Sequence, residues 1–386
     1  MLTILSNNRL QSSYLNKILK SSLSSIVQYN PRNNSLNEIT TPYQIKLPEG
    51  NENVMNYMQY SKRGNPLEVL SCGKHKYEIH DDQVCVALQM SSLNPADLNT
   101  VEGRYPIKPE LPAIGGNCGF GVVTQVGKNI KNLSSGDWVI PGKVAMGTWS
   151  THLIAEEQEL LKIPKVRPEF ASILMVNPPT AYRMLHDFTN LKKGDWIIQN
   201  GATTEVGRSV IYLASKLGFH TLNFCRKGTN FDSKKKMLKD LGADLVLSGE
   251  ELKNRKMMKK IIKNIEKPKL GLNCVGDFWV PKMASCMAKK GVMVTYGGLS
   301  VGTKVAVNPG LLIFNDLSLK GFWLSRWVQT HSRREREIML EHICEIMGND
   351  FPVHLECHNL TNFKIALKRY YSHLQGSRKI VFLNQY

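Results

Sequence analysis

The sequence predicts a two-part α/β protein, a mostly β unit followed by a doubly wound parallel sheet. Three observations carry that prediction. Residues from about 54 to 170 alternate apolar and polar positions between turn residues, as strands do. At "NPPTAYRMLHDFTNL" (177–191) the period turns helical, with Ala181, Met184, Leu185 and Phe188 on one side. The next stretch, "KKGDWIIQNGATTEVGRSVIYLASKLGFHTLNFCRKG" (192–228), reads as strand, loop, helix and strand. Such a β-α-β unit requires a parallel sheet.

In the first unit the strand candidates are "VMNYMQYSKRGNPLEVL" (54–70), "DDQVCVALQMSSLNPADLN" (81–99), "GVVTQVG" (121–127), "GDWVIP" (136–141) and "GTWSTHLIAEEQELLKIP" (147–164). In the second unit an apolar run from Trp196 to Ile198 meets a loop holding Gly201 and Gly207. Val206, Val210, Ile211, Leu213, Ala214 and Leu217 then recur at helical spacing, Gly218 ends the helix, and "HTLNFC" is the next strand. "ADLVLS" (243–248), "LGLNCVG" (270–276) and "GVMVTYGG" (291–298) continue the alternation of strand and helix to about residue 320. A helix opened by Ser332 and Glu335 at capping-box spacing, a second in "NFKIALKRYYSHLQ" and a strand in "RKIVFL" close the chain.

Composition sets the frame. The chain has 386 residues, 42% hydrophobic and 21% charged, which suits two soluble domains or one elaborate one with an ordinary core. It holds no run of about 18 apolar residues, so no membrane span is expected. Eight cysteines, none in a C-x-x-C pair, read as reduced core thiols and argue against a structural zinc lobe. Residues 1–37 carry Arg9, Lys17, Lys20 and Arg32, many serines and no acid, the pattern of a mitochondrial transit peptide; a disordered tail is the alternative. Removing those four cations takes the formal charge from +18 to +14. A field of that sign attracts nucleic acid, an acidic carrier protein or a phosphorylated cofactor, and charge does not choose among them.

The loop after the first strand of the β-α-β unit lacks a full G-x-G-x-x-G, keeping Gly201 and Gly207. Where NAD-preferring folds place an acid for the ribose hydroxyl, this chain has Arg226 and Lys227, two cations suited to a 2′-phosphate, so NADPH is the expected cofactor. The cation runs "KKKMLK" (234–239) and "KNRKMMKKIIK" (253–263) read as solvated helix faces, with a dock for an acidic carrier protein left open. The Met-rich stretches at 257–258 and 283–293 read as core. By its local pattern alone, Tyr105 is a loop aromatic covering apolar surface.

Eight blocks together carry a family resemblance: "NPADLN" (94–99), "EGRYP" (102–106), "GDWVIP", "VNPPTAYRML" (176–185), "WIIQN" (196–200), "LNCVG" (272–276), "VTYGGLS" (294–300) and "GFWLSRW" (321–327). They span essentially the whole chain beyond the leader. The sequence resembles the zinc-free, quinone-reductase-like branch of the medium-chain dehydrogenase/reductase superfamily and, within it, the mitochondrial trans-2-enoyl thioester reductases. That resemblance implies a GroES-like mostly-β catalytic domain plus a doubly wound Rossmann NADP-binding domain. The expected boundaries are 1–37 for the leader, 54–175 for the first part of the catalytic domain, 176–322 for the nucleotide domain and 323–386 for the return. Zinc members carry G-H-E where this chain has Gly116, Asn117 and Cys118, and a cysteine near "NPADLN". Neither metal ligand is present, so no metal is expected.

The resemblance further implies reduction of an enoyl thioester on acyl carrier protein or CoA, in fatty acid synthesis in the mitochondrial matrix, by a homodimer. The family's catalytic tyrosine falls on Tyr105, as enolate stabiliser and proton donor. Asn177 falls on the nicotinamide contact, and Thr203, Thr204, Glu205 and Val206 on the pyrophosphate loop. Arg226, Lys227 and Gly228 fall on the 2′-phosphate side. Tyr296, Gly297, Gly298 and Leu299, with Phe322, Trp323 and Leu324, border the nicotinamide and acyl pocket, and Arg378 replaces a family lysine. Three positions depart from the family: Cys118 for a glutamate, Glu205 for a small residue, and Asp277-Phe278-Trp279 for a small-residue loop. The rival readings are a quinone reductase of the same superfamily and a catalytically silent NADPH- or RNA-binding paralogue; the resemblance disfavours nucleic acid as a partner.

Overall fold

The structure is a computed structural model that describes residues 25–30, 35–39, 43–48, 53–300, 304–372 and 378–384. It divides into two compact units. One comprises the chain up to Met175 and again from Gly348; the other is Val176–Met347. The first unit opens with β1 (Ile26–Asn30), β2 (Ser35–Ile39), β3 (Val54–Tyr60), β4 (Leu70–Lys76) and β5 (Gln83–Ser92). It continues with β6 (Ala113–Ile114), β7 (Cys118–Val126), β8 (Trp138–Pro141), β9 (His152–Glu156) and β10 (Leu160–Lys162). The second unit holds β11 (Trp196–Gln199), β12 (His220–Cys225), β13 (Leu245–Ser248), β14 (Leu270–Asn273), β15 (Val292–Thr295) and β16 (Ser318–Gly321). The chain then returns to the first unit with β17 (Leu355–Asn359) and β18 (Lys379–Leu383).

The first unit is built on β5, which is buried on both faces and pairs with β7, β9 and β18. Its main sheet runs β10-β8-β7-β5-β18-β17-β1-β2, and a smaller one runs β4-β3-β6. Between them Met58, Tyr60, Leu98, Trp149 and Phe382 form the largest part of the core. Trp149 meets Phe382 edge-on at 5.6 Å and packs against the Gly-rich turn at Gly115 and Gly116. A Cβ at Gly115 would sit 2.3 Å from Trp149 Cε3, so only glycine lets that turn pass over the indole.

The second unit is a parallel sheet in the order β13-β12-β11-β14-β15-β16. The first crossover helix, Glu205–Leu217, starts at Thr204, whose hydroxyl accepts the Gly207 N–H at 3.1 Å, and stops at Gly218 in a left-handed conformation. Its buried stripe is Val210, Ile211, Leu213 and Ala214. Gly207 lets this helix approach the strand ahead of it, since a Cβ there would come within 2.5 Å of the Gly201 carbonyl.

Two boundaries differ from the sequence expectation. The second unit runs to Met347 rather than 322, because the helices Leu324–Thr330 and Arg333–Met347 pack on the helix Asn177–Asp187: the Tyr182 hydroxyl meets His342 Nδ1 at 2.8 Å and Arg183 lies over Trp327. The expected leader, 1–37, overlaps folded chain. β1 runs parallel to β17 with Ile26 and Val27 buried, and β2 pairs with β1. A cut at 37 would remove β1 and most of β2 and bare the β17 edge, so a removed leader must end ahead of Ser25; residues 1–24 lie outside the described residues. A chain starting at residue 43 is expected to melt lower than one starting at residue 25, by about 5 °C from the lost burial. Equal melting temperatures by calorimetry would contradict this assignment.

Candidate active site

In the first unit the site is organised by an acid that the motif reading passed over. The helix Pro95–Val101 begins after Asn94, and Asp97 lies in its first turn, 1% exposed. One Asp97 oxygen accepts the Asn94 N–H at 2.6 Å; the other accepts the Asn117 N–H at 2.9 Å and its side-chain Nδ2 at 2.6 Å. Asn117 Oδ1 in turn accepts the Ala145 N–H at 2.6 Å, and Lys379 Nζ donates to Asn94 Oδ1 at 2.6 Å. Burial pushes the Asp97 carboxyl up to about 6, against the opposing pull of the Asn94 N–H, Lys379 and Asn117. Asn117 thus serves as a strut between the helix and the Gly-rich turn. The sequence signal was present as an Asn-x-x-Asp capping spacing inside "NPADLN".

Tyr105 follows directly. Its N–H and that of Arg104 both donate to the Asn99 carbonyl, at 3.0 and 2.9 Å, so its loop is fastened to the helix that Asp97 anchors. The ring is half-buried. Cys118, in place of a glutamate, is fully buried, with its thiol donating to the Ser172 carbonyl at 3.4 Å. Burial pushes that thiol up to about 12, which keeps it neutral.

In the second unit the parallel strands bring most of the expected cofactor residues to one edge. Thr203 to Val206 follow β11, Arg226 to Gly228 follow β12, Tyr296 to Leu299 follow β15, and Phe322 to Leu324 follow β16. This is the carboxyl edge, where open α/β sheets bind ligands. An asparagine ladder not singled out in the sequence ties it together. Asn200 Nδ2 donates to Asn273 Oδ1 at 2.7 Å, Asn273 Nδ2 donates to Thr295 Oγ1 at 3.1 Å, and Asn200 Oδ1 accepts the Cys274 N–H at 2.8 Å. The Tyr296 phenol oxygen is enclosed. Burial first, then the Cys274 thiol, raises it well above the ordinary tyrosine range, with the Thr204 hydroxyl acting the other way. Asn177 is buried at the start of its helix, and Phe322 meets Phe188 edge-on at 5.7 Å. Arg378 stands apart from this set: it belongs to the first unit, exposed, just ahead of β18.

The two departures in this unit are compensated within it. Glu205 does not face water; its carboxylate is buried against Arg208, which is 0% exposed, at 3.2 and 3.4 Å. What Glu205 and Val206 offer a pyrophosphate is backbone N–H, which the first turn of a helix leaves without an intrahelical acceptor. Trp279 is buried against Phe224 in the core of the unit, and Phe278 stacks on it at 4.7 Å with the Lys253 ammonium over its ring.

Residues 80–165 match the family model "Alcohol dehydrogenase GroES-like domain", and residues 206–344 match "Zinc-binding dehydrogenase". The mitochondrial enoyl-[acyl-carrier-protein] reductase of Arabidopsis thaliana is 41% identical over 286 residues, covering 74% of this chain and 76% of that protein. The chain belongs to the mitochondrial enoyl-[acyl-carrier-protein] reductase family. The human member is 38% identical over 322 residues, 83% of this chain and 84% of that protein. Among solved structures, a mutant enoyl thioester reductase from Candida tropicalis and an Etr1p/NADP/crotonyl-CoA complex each superpose with a TM-score of 0.77 at 28% identity, over 86% of this chain and 99% of theirs. The fold is therefore the GroES-like unit plus doubly wound Rossmann unit that the family resemblance implied. Among the described residues no group of three or more His, Cys, Asp or Glu could hold a metal ion.

The Asp97 strut has a pH signature. Its folded pKa lies above the unfolded one, so the stability it carries is fully present below about 3.8 and is lost as pH rises through about 6. Asp97→Asn removes this titration and one acceptor, costing about 2 kcal/mol. In urea denaturation the gap between wild type and variant should narrow as pH rises from 4.5 to 7. A gap that widens would contradict the buried, raised carboxyl.

Proposed function

We propose that this chain reduces trans-2-enoyl thioesters to saturated acyl thioesters with NADPH, and that Tyr105 is its catalytic residue. The observation that carries the reading is the membership of the family, over 74% and 83% of the chain in the two relatives compared, with Tyr105 held by the Asn99 carbonyl in the loop that Asp97 anchors. The residues present suit the cofactor: a capped helix start with free leading N–H groups, an acid already neutralised by Arg208, and exposed cations at Arg226 and Lys227. Glu205 and Val206 N–H groups would hold its pyrophosphate, Arg226 and Lys227 its 2′-phosphate, and Asn177 its nicotinamide end. When bound, NADPH supplies the hydride that goes to the β-carbon. The Tyr105 phenol donates a hydrogen bond to the thioester oxygen as negative charge gathers there, then gives a proton at the α-carbon. The Tyr105 hydroxyl takes the part that a cation plays in the zinc branch.

The relatives named above are mitochondrial proteins; we place this chain in the mitochondrion and its activity in the matrix, on acyl carrier protein or CoA. Self-association is supported by the outer strand β16. Beside it, the helix Pro309–Asn315 shows Ile313 69% and Phe314 75% exposed, and Leu319 of β16 is 38% exposed. One of the similar solved structures is an Etr1p/Etr2p heterodimer from Candida tropicalis. A symmetric pairing of β16 with its copy would cover this patch.

Two experiments test these assignments. Tyr105→Phe should lower kcat/KM for crotonyl thioester by about a hundredfold or more while the Kd for NADPH stays within about twofold. Unchanged turnover would remove Tyr105 from the mechanism, and wild-type NADPH oxidation by quinone in place of enoyl thioester would replace the substrate class. Lysine at Ile313 and Phe314 should halve the mass found by light scattering at micromolar concentration; an unchanged mass would move the interface elsewhere.

A further inference from the structure

The helix Arg255–Lys263 reads "RKMMKKIIK" and contains no acid. Asn254 caps it, its side-chain oxygen accepting the Met257 N–H at 3.1 Å. Packing fixes one face: Met258 is buried in the core of the second unit, with Met257, Ile261 and Ile262 partly buried against it. That leaves Arg255, Lys256, Lys259, Lys260 and Lys263 on the other face, and all five are exposed. Among the described residues no carboxylate pairs with any of them. Other helices of this chain do balance their cations: Arg183 pairs with Asp187, Lys236 with Asp240 and Arg333 with Glu337, each four residues on. The uncompensated face works against its own helix. Arg255 with Lys259, Lys256 with Lys260 and Lys259 with Lys263 are like charges four residues apart, which repel. Arg255 and Lys256 also lie in the first turn, where the helix dipole disfavours cations and no acid offsets them. Solubility accounts for exposed charge of mixed sign, and one sign set against local preference calls for an anion from outside.

The make-up of the face selects the anion. Four of the five cations are lysines, point charges on flexible stems without the planar fork that grips a single phosphate. No outward aromatic or amide interleaves them, so the face has no platform for stacked bases and no reader of base edges. It also lacks the exposed apolar anchor on which a protein interface centres. What it offers is a diffuse positive field along roughly 12 Å of a convex helix side, which suits a plane of negative charge. We propose that the helix Arg255–Lys263 is a peripheral contact with an anionic phospholipid bilayer, its five cations lying against the headgroups while its apolar side stays in the core. Among the described residues no helix is long and apolar enough to cross a membrane, and this contact is electrostatic and reversible. It is independent of the cofactor and substrate assignments.

The test is co-sedimentation of the full chain with phosphatidylcholine vesicles containing about 30% phosphatidylglycerol. Lys256→Gln/Lys259→Gln/Lys260→Gln should lower the partition coefficient about tenfold or more, and wild-type binding should fall steeply as salt rises. Lys62→Gln/Lys74→Gln/Lys76→Gln removes the same charge from exposed lysines of the first unit and should stay within about twofold of wild type. The helix variant should melt no lower than wild type, because it relieves like-charge pairs. Equal losses in the two triple variants would reduce the effect to net charge and overturn the assignment to this helix. A wild type that ignores the vesicles, or that binds pure phosphatidylcholine as well, would overturn the bilayer contact. A lower melting temperature for the helix variant would return these lysines to a structural role. If vesicles do not bind and the helix variant alone loses affinity for RNA or for an acidic carrier protein, the face has another partner and the proposal fails.

Discussion

One buried carboxylate fixes the geometry on which the first unit depends. Asp97 joins three segments distant in sequence: the start of its own helix, the Gly-rich turn at Asn117 and, through Asn94 and Lys379, the last strand. Burying an acid costs free energy unless donors replace its water, and here every donor comes from the frame that must be held still. Tyr105 is fastened to this frame through the carbonyl of Asn99, two residues after Asp97. A raised carboxyl is thus the cost of a rigid platform, to which the loop carrying Tyr105 is fastened.

The second unit handles charge by a different rule. Its ligand edge must attract phosphate, so an acid at the head of the first crossover helix is harmful if it stays uncompensated. Arg208, one helical turn inward, pairs with Glu205 and removes it from the field. The asparagine ladder at the ends of β11 and β14 then holds the loops with neutral groups only. Positive potential is left to side chains at the strand ends, where it can be spent on a ligand.

Most of this fold was legible because its strands and helices carry clean periods: β11, the helix Glu205–Leu217 and β12 lie where the apolar spacing put them. β16 and β17 were not legible. "SLKG" offers a single apolar residue, and "LECHN" buries a glutamate and a histidine that satisfy each other, with Glu356 also taking Arg369, so polar residues stand where a pattern reader expects apolar ones. The β1–β2 hairpin was hidden by composition, since a basic, serine-rich segment reads as a leader even where Ile26 and Val27 are buried. In the site, single residues such as Tyr105 came from motif blocks, whereas Asp97, Asn117 and Asn200 act through partners 20 to 74 residues away, and pair distances are not written in a linear pattern.

The departures from the family pattern bear on whether such a chain keeps its chemistry. A decaying site loses groups singly and leaves their partners exposed or unpaired. Here each altered residue is integrated. Cys118 is a neutral thiol hydrogen-bonded to the Ser172 carbonyl that Ser92 also uses. Glu205 has a buried arginine to oppose it, and Trp279 fills the core between Phe224 and Gly249 instead of open space. Packing and charge are thus closed at each of these positions, because an unopposed Glu205 would repel an anion at the head of its helix.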